Sequence, residues 1–164
     1  METLESIAEA AAESFRVTFS ADTASVSLIR GGEYRTLVNV GVLFPGDTRF
    51  PTDEFYETSY YPTASAALLA GDGYFSSIGV RGTLPESDRL LRELDRGSCM
   101  GVPLTYLRET LGEVFVTRPH GDAVFDGDDL SVAMELTRQL GFRVGPALLK
   151  RLRTDSTFWP SASA

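Results

Sequence analysis

A chain of 164 residues with 43% apolar and 23% charged residues can build one soluble globular domain, and suits neither disorder nor a coiled coil. No apolar run approaches the roughly 20 residues of a membrane span, and a net charge of -8 argues against nucleic acid, whose phosphates reward a basic stripe. Cys99 is the only cysteine, which excludes an intrachain disulfide and a multi-cysteine zinc site and points to a reducing cytoplasm.

Residues 2–15 place Leu4, Ile7, Ala8, Ala11 and Phe15 at three- and four-residue steps, with Glu2, Glu5, Glu9 and Glu13 mostly on the other side. That spacing predicts an amphipathic helix whose early acids suit its dipole, and excludes a secretory or basic targeting peptide. After a break at Ser20–Asp22 come two β-rich runs, Ala24–Arg30 and Glu33–Gly41. Gly31-Gly32 between them signals a hairpin.

From Leu43 to about Gly82 the pattern loosens, with repeated Pro and Gly and many aromatics. Thr63–Ala70 reads as a short helix and Tyr74–Ile78 as a brief strand. An irregular insertion of this length usually carries function or moves. Ser87–Leu94 predicts a two-turn helix capped from Pro85 and Ser87 and closed near Gly97. Strands Ser98–Tyr106 and Leu111–Arg118 follow, joined by Leu107–Thr110. Asp126 is a good N-cap with Asp129 three residues on, and Leu130, Ala133, Leu136 and Leu140 line one stripe of the helix it opens. Pro146 predicts a kink or break in that helix. The domain is expected over 1–150, with 151–164 a flexible tail.

The order helix, hairpin, aromatic insertion, hairpin, long helix resembles a GAF domain from about Glu2 to Gly145. The resemblance is carried by Ala24–Ile29, by Leu69-Ala70-Gly71-Asp72-Gly73-Tyr74-Phe75, by Val102-Pro103-Leu104 with Leu111–Phe115, and by Phe125 with Asp129-Leu130. It implies an α+β, PAS-like fold. An antiparallel sheet would carry the terminal helices on one face and the insertion on the other. It also implies a small-molecule sensor in bacterial signalling, with a pocket between sheet and insertion and a homodimer or signalling-protein partner met through the terminal helices.

No cofactor follows from the resemblance. Cyclic-nucleotide-binding members carry Asn-Lys after the last strand and a Phe followed four residues on by Asp-Glu. Phe125 and Asp129 match, but Thr117-Arg118 and Leu130 do not. His120, the only histidine, lies in a polar turn unsuited to a haem ligand. Cys99 is followed by Met100, without the neighbouring His of many tetrapyrrole-attaching members. The enzymatic branch reduces free methionine sulfoxide with several cysteines, and a single Cys99 lacks a resolving thiol, so no catalytic residue is assigned. Asp126, Asp128 and Asp129 lack the rest of a calcium loop, so no metal site is assigned. The candidate ligand-binding residues are Tyr56, Tyr60, Tyr61, Phe75 and Met100. The alternatives are a ligand-free dimerisation or docking module and, after it, an enzyme resembling the free methionine sulfoxide reductases that uses Cys99.

Overall fold

In the computed structural model, which describes residues 2–160, Thr3 opens α1 (Leu4–Thr18) with a reciprocal cap. The Ser6 amide donates to the Thr3 hydroxyl and the Thr3 amide to the Ser6 hydroxyl. Strands β1 (Thr23–Arg30) and β2 (Glu33–Gly41) form the expected hairpin. Gly31 and Gly32 take φ of 56° and 80°, the left-handed region where a side chain is strained. Val26 pairs with Val38 but Ser27 with Thr36, so Leu37 is an extra residue that bends β2.

The insertion supplies β3 (Tyr56–Glu57), which the sequence pattern does not announce, then α2 (Pro62–Leu69), β4 (Tyr74–Ser77) and α3 (Pro85–Leu94). Helix α3 begins at Pro85, whose missing N–H costs nothing there, so Ser87 lies inside the helix. Asp95 ends it in the left-handed region. Strands β5 (Ser98–Tyr106) and β6 (Glu109–Arg118) complete one antiparallel sheet of order β3-β2-β1-β6-β5-β4. Their connection is shorter than expected, because Leu107 and Arg108, both left-handed, turn the chain within two residues.

Period-two alternation gives the sheet two coverings. Ala24, Val26, Leu28, Met100, Val102, Val114 and Val116 meet α1 and α4 (Gly127–Thr154) in the main core. Each valine, leucine or methionine among them contributes about 1.5–3 kcal/mol by leaving water. Cys99, Phe115, Ile29 and Tyr34 face the insertion instead. Asp126 caps α4 as expected, its carboxylate accepting from the Asp129 amide.

Two expectations are corrected. Helix α4 does not break at Pro146 but runs on to Thr154, held against the sheet by buried Ala133, Val144 and Leu148. Gly141 and Gly145 permit that closeness, since a Cβ would strike the Thr105 carbonyl at the first and the Tyr106 ring at the second. Nor is the stretch after residue 150 a free tail. Phe158 and Trp159 are buried in the main core, and Arg35 donates to the Phe158 carbonyl at 2.6 Å. Residues 161–164 of that expectation lie outside the described residues. No helix among the described residues is long and apolar enough to cross a membrane.

Candidate functional site

A cavity of about 440 Å³ lies between the sheet and the insertion. Its floor is the face of the sheet turned away from the terminal helices: Ser25 and Ser27 of β1, Tyr34 of β2, Tyr74 of β4, Glu113 and Phe115 of β6. Phe50, Tyr56 and Tyr61 from the insertion, and Leu90 and Glu93 from α3, stand around it.

Several contacts hold the covering in place. The Glu86 carboxylate, buried on α3, accepts from the Thr63 and Ala64 amides at 2.6 and 2.8 Å. It thereby caps α2, whose own N-cap, Tyr61, offers no side-chain bond. Arg89 donates to the Tyr60 carbonyl at 3.0 Å, and the Thr110 hydroxyl to the Leu68 carbonyl at 2.7 Å. Tyr34 and Tyr56 stack with centroids 5.1 Å apart, and Tyr61 stands edge-on to both. These rings brace one another as well as line the space.

The polar centre is Glu113. Its carboxyl is buried on the cavity floor, where the Tyr74 hydroxyl donates to Oε2 at 3.1 Å; among the described residues Oε1 has no hydrogen-bond partner. Desolvation pushes it up to about 7. Burial likewise raises Tyr34, Tyr61 and Tyr74 and carries Tyr56 up to about 12, so the phenols stay neutral donors. Gly101 on β5 makes the arrangement possible, because a Cβ there would meet both the Tyr74 ring and Glu113 Oε2. Beside it the Ser27 and Thr36 hydroxyls pair at 3.0 Å.

Of the residues expected to bind a ligand, Tyr56 and Tyr61 line the cavity and Tyr60 sits at its rim, largely exposed. Phe75 and Met100 do not. They pair with each other across β4 and β5 and face the opposite side of the sheet, where Met100 is fully buried in the main core. Parity explains the correction: the neighbours Tyr74 and Gly101 are the cavity-facing pair. Glu113, Tyr34 and Tyr74 were missed as site residues. The signal for Glu113 was present, as a lone charge inside the otherwise uncharged run Leu111–Thr117.

Cys99 is fully enclosed by Phe44, Leu91, Leu94 and Phe115, and burial, then Glu113, push its thiol up. A thiol this dry and weakly acidic makes a poor nucleophile. The folded protein is expected to resist iodoacetamide at about pH 8 for hours and to be alkylated within minutes in denaturant, read by intact mass. Rapid labelling of the native form would show an accessible thiol. His120 lies in an exposed loop, its Nε2 3.0 Å from an Asp95 carboxylate oxygen.

No family model and no curated protein matches this sequence. Solved structures do match its fold. The GAF domain of a GAF/HD protein from Geobacter sulfurreducens is 13% identical, with a TM-score of 0.71 over 89% of this chain and 94% of that one. A phycocyanobilin-bound GAF domain from a cyanobacterial phytochrome is 12% identical, with a TM-score of 0.75 over 94% and 89%. GAF3 of Synechocystis sp. PCC6803, in its photoproduct state, is 14% identical, with a TM-score of 0.70 over 92% and 99%.

Proposed function

We propose, from the GAF fold that this chain adopts, that it is a small-molecule-sensing regulatory domain of bacterial signal transduction, working in the cytoplasm. The observation that carries this reading is the cavity between sheet and insertion, with neutral tyrosine hydroxyls and one buried carboxyl turned into it. A space of about 440 Å³ falls in the range of small-ligand sites. Binding there would bias the placement of the insertion and, through β5 and β6, the packing of α1 and α4.

A thermal-shift screen of metabolites is expected to yield a compound that native mass spectrometry finds bound one to one. Ala64→Leu, which fills part of the cavity, is expected to weaken that compound at least about tenfold. Failure of every compound, or a binder indifferent to Ala64→Leu, sinks the sensor reading.

One observation favours a second reading, docking or dimerisation through the terminal helices. Phe142 and Leu149, seven residues apart and so on one face of α4, are 74% and 46% exposed. Light scattering that finds a monomer at high concentration, unchanged by Phe142→Asp, counts against a homodimer through this face.

A further inference from the structure

Resting on the sensor reading, we infer that the cavity takes a small organic cation, whose protonated nitrogen pairs with the free Oε1 of Glu113 while its body lies among the aromatic rings.

The charges lining the cavity point one way. Among the described residues, Glu54, Glu93 and Glu113 bring three carboxylates to the lining, against Arg89 as its only base, and an Arg89 N–H already serves the Tyr60 carbonyl. An anion would meet Glu113 across a medium of low dielectric, where like charges repel strongly. Where Glu113 is ionised, a neutral ligand would leave its buried charge uncompensated. A cation satisfies Oε1, which no described residue meets, and Tyr56, Tyr61, Phe50 and Phe115 line the cavity with aromatic rings, the groups that attract such a charge. Tyr74 holds the other oxygen, so the carboxylate is oriented before the ligand arrives. Gly101 keeps backbone and ring close enough for that bond to form.

The groups that face Glu113 are Tyr34 of β2, Tyr56 of β3, Tyr61, Tyr74 of β4 and Cys99 of β5, none of which ionises between pH 5 and 8 given the directions of their shifts. Arg89 and Glu93 on α3 and Glu54 in the loop complete the charged surroundings. The carboxyl of Glu113 itself is therefore the group expected to titrate with binding, near 7.

Isothermal titration of the whole protein tests this with tryptamine and agmatine as cations, tryptophol as the neutral match and indole-3-acetate as the anionic one. At about pH 8 at least one cation is expected to bind, and tryptamine more than about tenfold tighter than tryptophol. At about pH 5.5 cation affinity is expected to fall about 30-fold, as Glu113 takes a proton. Glu113→Gln is expected to remove both the preference for the cation and the pH dependence. Tryptophol or indole-3-acetate binding as tightly as tryptamine, or a cation affinity flat across that range, overturns the cation assignment and leaves the sensor reading standing. If none of the four binds at millimolar concentration, the cation assignment falls, and the metabolite screen alone then decides the sensor reading.

Discussion

Replacing Glu113 by Gln raises stability relative to the native protein by about 3 kcal/mol more at pH 8 than at pH 4.5. In the folded chain the carboxyl is pushed up to about 7, against an ordinary value of 4.5. Between those values the folded state holds a proton that the unfolded state has released. The stability linked to this group is therefore fully present below about pH 4.5 and lost as pH rises through 7. A glutamine of the same shape keeps an acceptor for the Tyr74 hydroxyl and does not titrate. Urea unfolding of both proteins across this range isolates the effect, because every other titrating group cancels in the difference. A difference that does not change with pH would mean that the carboxyl is solvated. A saturating cation should shrink the advantage of the variant, since the ligand supplies the counter-charge that the empty site lacks.

Trp159→Ala is expected to cost about 3–5 kcal/mol, and ending the chain after Thr154 at least as much. Trp159 is 2% exposed and meets Phe55 edge-on at 4.9 Å. Its neighbour Phe158 is clamped by two guanidiniums, Arg35 at 4.8 Å and Arg151 at 5.1 Å from the ring centre. Arg151 in turn donates twice to the Glu5 carboxylate of α1, at 2.6 and 2.7 Å. Losing the indole opens a cavity under this arrangement. Lys150→Ala, at an exposed position on the same helix, serves as a control near zero. Chemical denaturation of the three variants checks the ranking, and a Trp159→Ala cost below about 1 kcal/mol would mean that the segment is not packed.

What could be read from the sequence was local. Leu4, Ile7, Ala11 and Phe15 repeat at helical spacing whatever the chain does elsewhere, and Gly31-Gly32 or Asp126 with Asp129 mark ends within a few residues. The wall tyrosines Tyr56 and Tyr61 were accessible for the same reason, as aromatics in an irregular stretch. The floor of the cavity was not, because it is made by strands that meet only in three dimensions. Whether Phe75 or Tyr74 faces the cavity depends on which layer covers which side of β4. Phe158 and Trp159 stand out as large side chains in a polar stretch, but nothing near them in sequence names their seat, which is built by Arg35 and Phe55, more than a hundred positions away. Glu113 carried a signal of its own, but a charge in a strand declares a buried role only once both faces of that strand are known to be covered.

On β5, Cys99 and Gly101 belong to the cavity side while Met100, Val102 and Leu104 belong to the helix side; on β6, Glu113 and Phe115 alternate with Val114 and Val116 in the same way. A sheet one residue thick thus carries two inheritances that can drift separately. On these two strands, substitutions at the cavity-facing positions change what the cavity presents, while the helix-facing positions preserve the main core. The fold itself tolerates wide change in sequence, since solved structures of 12–14% identity match it at TM-scores of 0.70–0.75.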